Sequence, residues 1–292
     1  MNSVTAVVKR NLIIYFRDPV GVFLSLLSAI VLLLLYLLFL GGLQVNHISD
    51  QMPNASSSDI QAFVYSWVFA GIVMITATTT GLGAMGGYVD DRATGRFKEF
   101  RVCPLRSSQL VLGYQLAAFL ISVFMSTLIL LLGYVIVGLT KSCWIAPLDL
   151  LRGFGLALFE ALALSSLLSF LATFTATRSA FTALSTIVGT TLGFFAGAYL
   201  PVGLVSSHVA SFINVLPFSP AAMLLRDPLA GHALSQLANG SSDADTALRE
   251  YYGYTLSVGG TVLQTWWIIV GLAVMAVLFT TLTSIRMGKT IK

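Results

Sequence analysis

Three groups of residues in this chain are of the types that do chemistry or transmit work. Glu160 is the one ionisable side chain that falls clearly inside a long apolar stretch. A carboxyl in such a place serves either as a proton or substrate site or as a hydrogen-bonded tie between helices, with Ser165 and Ser166 close by to share the tie. Gly288-Lys289-Thr290 has the ending of a phosphate-binding loop, but that loop needs a strand before it and a further glycine where Thr283 stands. Lys289 is therefore read as a basic anchor, and no nucleotide site is expected in this chain. The third group lies between Gly87 and Ser108 and gathers Asp90, Asp91, Arg92, Arg96, Lys98, Glu99, Arg101 and Arg106.

The stretches around that third group fix where it sits. No charged residue occurs from Ile60 to Val89 before it or from Ser107 to Thr140 after it, and each run exceeds the roughly 20 residues that a helix needs to cross a bilayer core. Apolar residues make up 57% of the chain and charged ones only 10%, and the mean hydropathy is +0.88, so an all-α integral membrane protein is expected. The net charge of +4 does not point to nucleic acid, because Lys and Arg are dispersed in short segments between apolar runs. The charged group is read as a loop on one membrane face, and its basic residues assign that face to the cytoplasm.

A single transmembrane domain over 1–292 follows, taken in order. Val4, Val7, Val8, Leu12 and Tyr15 share a helical face with Lys9, Arg10 and Arg17 interposed, which predicts an interfacial helix over 1–18. Pro19 breaks it, and the first span is 20–40, too long for the core of a cleaved signal peptide. Residues 41–59, with Asn46, His47, Asp50, Pro53 and Asn54 but no Lys or Arg, read as an outer loop. The remaining spans are placed at 60–83, 109–139, 149–176, 180–199 and 257–284, with the charged loop at 87–108. Between Arg178 and Arg226 the chain is uncharged and long enough for two spans, yet Pro201, Asn214, Pro217 and Pro220 crowd its second half. Broken backbone at membrane depth needs protein or water around it, so 200–225 is expected to be a re-entrant or interfacial segment on the outer side. The polar stretch from Arg226 to Gly253 stays outside with it. This topology leaves only Lys141, Arg152, Arg226 and Arg249 of the basic residues outside and places both termini in the cytoplasm.

Within the fifth span, Gly189, Gly193 and Gly197 recur at four-residue spacing beside Thr186 and Thr190. Such a stripe admits close helix approach, and it is expected to form, with Glu160, a translocation path or subunit interface rather than internal packing alone. Asn54-Ala55-Ser56 and Asn239-Gly240-Ser241 match glycosylation sequons on the outer side but carry no meaning in a bacterial cytoplasmic membrane without that pathway. Cys103 and Cys143 fall on opposite faces, so no disulfide is expected, and no metal site is indicated.

The charged loop has more pattern than a basic loop requires. Asp90-Asp91-Arg92, Gly95, Arg96-Phe97-Lys98-Glu99-Phe100 and Pro104 read as a short surface helix with Phe97 and Phe100 on one face. This segment resembles the coupling helix of permease subunits in type-2 ABC exporters. Asn11 to Phe23 is similar to that family's elbow before span one, and Ala196 to Pro201, Asn214 to Pro217 and Leu225-Arg226 resemble its outer segment. The resemblance implies that Asp90, Asp91, Arg92, Gly95, Arg96, Phe97, Lys98, Glu99, Phe100 and Pro104 couple to an ATPase, and that Pro201, Asn214 and Pro217 belong to an outer gate. It further implies two cytoplasmic ATPase subunits that hold ATP and Mg, a second permease copy or sister permease, and export of an amphipathic drug, lipid, peptide or glycan. The competing readings are an ion-coupled transporter built on Glu160 and a membrane immunity or scaffold subunit that moves nothing.

Overall fold

The computed structural model describes residues 3–101, 106–141 and 144–291; Cys103, Pro104 and Cys143 lie outside the described residues. The chain begins with α1 (Ser3–Phe16) and, after Asp18 accepts a hydrogen bond from the Gly21 amide as N-cap, continues into α2 (Pro19–Leu35). A single π turn (Tyr36–Leu40) joins α2 to α3 (Gly41–Gln51). Then come α4 (Ser57–Ala84), α5 (Gly86–Ala93), α6 (Phe97–Arg101), α7 (Ser107–Lys141), α8 (Pro147–Ala172) and α9 (Arg178–Phe195). A 3-10 turn (Val202–Leu204), α10 (Ser207–Val215), α11 (Phe218–Ala238), α12 (Ser242–Tyr251), a hairpin of β1 (Ser257–Val258) and β2 (Thr261–Val262), and α13 (Thr265–Ile291) complete it.

Helix α4 is the axis of the bundle. It is apolar on every side, and nearly all its side chains from Ile60 to Leu82 are buried, as a helix enclosed by others must be. Its threonine hydroxyls are satisfied within the helix: Thr76, Thr78, Thr79 and Thr80 each donate to the carbonyl four residues earlier. The outer helices invert this pattern. Helix α2 buries only Ala29 and Leu32, and α13 leaves Val270, Val274, Val277 and Leu278 exposed. Apolar side chains on the outside of a helical bundle are matched to a hydrocarbon surround. Among the described residues, five helices are long and apolar enough to cross a membrane, and the bent pair α10–α11 is a sixth candidate.

Contacts fix the direction of each helix. Gly83, at the end of α4, faces Ser25 and Tyr15, whereas Gly41 lies by Tyr65 near its start. Gly81 meets Ser165 of α8, Ser122 of α7 donates to Ala77, and Gly133 of α7 faces Phe69. Gly86 faces Phe181 at the start of α9, and Gly71 faces Ala198 just past its end. The lower end of the bundle therefore holds α1, α5, α6, the α8–α9 turn and the end of α13. The upper end holds α3, α10, α11, α12 and the hairpin. Helix α9 runs from lower to upper end over about 27 Å, although its four threonines leave it short of the apolarity of the other spans.

Four segments depart from the sequence expectation. Residues 41–51 are not a loop: the first span continues through the π turn into α3, whose Gln44 and Ile48 are buried at the upper end of α4. Asp90, Asp91 and Arg92 belong not to a surface helix but to α5, a continuation of the second span beyond a break at Met85. The surface helix is α6 alone, reached through Gly95 at φ +76°, a left-handed turn that glycine adopts without strain. The outer segment does not stop at 225, because α11 carries Arg226 inside a helix buried from Ser219 to Arg226 and beyond. The last span begins at Thr265, since 257–262 pair as a hairpin turned by Gly259 and Gly260.

Candidate functional site

At the lower end a carboxylate organises the surroundings of α6. Asp91 is buried and receives two hydrogen bonds from Arg10 of α1, Nη1 to Oδ2 at 2.7 Å and Nη2 to Oδ1 at 2.8 Å. Tyr114 of α7 donates its hydroxyl to Oδ2, and Arg96 adds a contact of 3.3 Å to Oδ1. Burial works against the charge of Arg10, but the bonds and charge of Asp91 prevail and hold the guanidinium above its ordinary pKa. Arg92 turns the other way and donates to the carbonyls of Thr173 and Thr175, at 2.8 and 3.1 Å, where α8 ends. Asp90 pairs with Arg178 at the start of α9 over 3.4 Å. Phe97 is buried against Tyr88 and Tyr114, and Arg10 stacks over Phe100. Lys98 and Glu99 are left pointing outward, exposed. Thus α6 is a short charged ledge whose root is tied to α1, α5 and α7.

Beside it lies a groove of about 620 Å³ between α1, α2, the lower part of α4 and α9, within the size range of small-molecule sites. Thr182, Thr186, Gly189 and Thr190 of α9 form one wall, and Leu24, Leu27 and Ser28 of α2 face them. The threonine hydroxyls donate to carbonyls of their own helix, so this wall presents methyl groups and weakly polar oxygens. Asp18, Asp90 and Arg178 lie among the lining residues as well.

The lower end thus joins a ledge that bears Lys98 and Glu99 outward to a groove between α2 and α9. The family model of the ABC-2 type transporter matches residues 2–229. The chain belongs to the ABC-2 type transporter family. A comparison with curated proteins gave no match. This ABC-2 chain is accordingly a multi-pass membrane permease rather than a catalytic subunit.

The remaining candidate residues of the permease fall in three places. Thr186, Thr190 and Gly189 reach the groove; a Cβ on Gly189 would stand 2.7 Å from the Ser28 hydroxyl of α2. The other two glycines of the stripe serve their own chain: Gly193 lies under the Tyr199 ring, and Gly197 turns the chain beyond α9 at φ +59°. Glu160 is fully buried in α8 and both carboxyl oxygens have no hydrogen-bond partner among the described residues. Ser165 and Ser166 spend their hydroxyls on Leu162 and Ala163 instead, and Glu160 is not on the groove wall.

The upper end centres on a residue that sequence reasoning had placed in solvent. Arg226 of α11 is completely buried; Nη1 donates to Gly253 at 2.8 Å, and Nη2 to Ala196 at 2.7 Å and Gly197 at 3.1 Å. Its guanidinium stands 5.3 Å from the Trp67 ring of α4, and Trp67 in turn donates to the Tyr252 carbonyl. The signal in the sequence was the run of Ala222, Leu225, Leu229, Ala230 and Ala233 at helical spacing around it. Pro201 opens the 3-10 turn and Pro217 opens α11 at an 88° bend from α10. Asn214 closes that corner, donating to Ser257 at 3.0 Å and accepting from Ser219 at 3.1 Å.

Proposed function

We propose that this permease is the membrane half of an ATP-driven exporter of amphipathic molecules. It has six spans, α10 and α11 forming a re-entrant pair on the outer side, and both termini in the cytoplasm. Two permeases, identical or paired with a sister subunit, work with two ATPase subunits that bind ATP and Mg. The observation that carries this reading is the ledge α6: exposed Lys98 and Glu99 above a root held by Arg10, Asp91 and Tyr114. Force applied to a helix so rooted reaches α1, α5 and α7 together rather than being absorbed by a loose loop. Asp90 and Arg92 extend the same connection to α9 and to the end of α8. The groove between α2 and α9 is then the entry to the translocation path, and the corner of Pro201, Asn214 and Pro217 the outer gate.

An ion-coupled mechanism on Glu160 has less support, because the carboxyl lies among core side chains away from the groove. The test is purification of the tagged permease from native membranes in mild detergent. An ATPase recovered in equal amount, and lost when Lys98 and Glu99 are replaced together by alanine, supports the exporter reading. Transport by the permease alone, without ATP, would overturn it.

A further inference from the structure

The charged residues on the groove lining already have partners of their own. Asp90 pairs with Arg178, and Asp18 caps α2 by accepting from Gly21. What is left unsatisfied is neutral. Asn11 of α1 is buried; its Oδ1 accepts from Arg10 Nη1 at 3.1 Å, but its Nδ2 has no partner among the described residues. The hydroxyl of Ser185, on the α9 wall, also has none. Both residues line the groove. A buried donor without an acceptor is costly, and in a groove whose lining includes Ile14, Leu24, Leu27, Leu82 and Phe181 a bound molecule is the natural source of that acceptor.

We propose that the groove takes an uncharged amphiphile, its apolar body against the leucines and its head group presenting a carbonyl, ether or hydroxyl oxygen to Asn11 Nδ2 and the Ser185 hydroxyl. This names the substrate chemistry of the path described above and rests on that reading. Neither donor reaches solvent, so the head group engages them as the Ser185 hydroxyl and the Asn11 amide rotate toward the groove. Two donors on the groove lining, one on α1 and one on α9, select for an acceptor oxygen, whereas Asp90 already meets Arg178 and Asp18 serves the α2 N-terminus.

The experiment uses the full-length permease in lipid nanodiscs without ATPase and three decyl probes carrying a diazirine on the chain. One ends in a dimethylamide, which accepts but does not donate; one in its hydrocarbon isostere; one in trimethylammonium. After photolysis, labelling of the α1 and α9 peptides is measured by mass spectrometry. The amide probe is expected to label the groove about threefold to tenfold more than the isostere. Asn11→Asp, which keeps the acceptor to Arg10 and removes the donor, and Ser185→Ala should each erase most of that preference. Equal labelling by amide and isostere, or a preference untouched in both variants, would overturn the proposal. So would strongest labelling by trimethylammonium, rising in Asn11→Asp, which marks a cation site and leaves the exporter reading standing. Absence of all labelling marks a groove filled by a second copy of the chain and overturns the proposal as well. Loss of the ATPase partner in the purification above would sink the exporter reading without touching these results.

Discussion

Arg10 and Asp91, eighty-one residues apart, meet through two hydrogen bonds of 2.7 and 2.8 Å, and this pair joins the first helix to the continuation of the central one. Desolvating such a pair is costly, but leaving one partner alone in its place costs more. Asp91→Ala should therefore lower stability by about 3–5 kcal/mol, read as the apparent melting temperature in detergent. Arg10→Leu combined with Asp91→Leu should lose distinctly less than Asp91→Ala. A double variant worse than the single one would refute this account.

The two sides of α6 should separate cleanly. Phe97 is buried and packed on Tyr88 and Tyr114, so Phe97→Ala should cost about 3–5 kcal/mol. Lys98→Ala with Glu99→Ala touches only exposed groups and should stay within about 0.5 kcal/mol while abolishing ATP-driven transport. Thermal unfolding paired with vesicle transport distinguishes a lever from a merely structural turn.

Arg226 and Gly253 should act as one unit. Gly253 has φ +72°, and a Cβ there would run into Arg226 Nη1, so Gly253→Ala strains the backbone and displaces the guanidinium. Arg226→Met strands the carbonyls of Ala196, Gly197 and Gly253 in a buried site, at about 1–3 kcal/mol for each unsatisfied group. Both variants should lower the melting temperature, and the combined loss should be smaller than the sum of the two, since the contact with Arg226 is lost once while the strain at φ +72° remains. Full additivity would show that the contact carries no shared energy.

Glu160 yields a prediction of opposite sign. A carboxyl buried without a partner is a liability, and an apolar side chain of similar volume removes it. Glu160→Leu should hold or raise the melting temperature, by up to about 3 kcal/mol of stability, with export intact. Export lost in both Glu160→Leu and Glu160→Gln would return the carboxyl to the mechanism.

The long apolar helices were readable in the sequence because a bilayer imposes a minimum length of apolar chain, and the 60–83 run meets it by itself. The break at Gly95 was less so: Asp90 to Phe100 read as parts of one surface helix, and the left-handed turn at Gly95 divides them between α5 and α6. What a string of letters does not carry is where a charge is consumed. Asp91 and Glu99 are both acids in one charged segment, yet one is locked to Arg10 and the other faces out. Arg226 resembled the first residue of a polar outer stretch until α11 enclosed it. The same holds for Gly193 and Gly189: equal in spacing, they meet Tyr199 and Ser28 respectively, because a short helix that twists along its neighbours gives each turn a different partner.

The threonines of α9 give the molecule a particular mechanical character. Because Thr182, Thr186 and Thr190 return their hydroxyls to their own helix, and α9 buries only Leu192 and Gly193, the wall facing α2 is lubricated rather than glued. Sliding or tilting α9 breaks dispersion contacts that re-form a short distance away, while α4, enclosed on all sides, stays as the stator. Along this wall, displacement of α9 costs contacts between methyl groups rather than hydrogen bonds between helices.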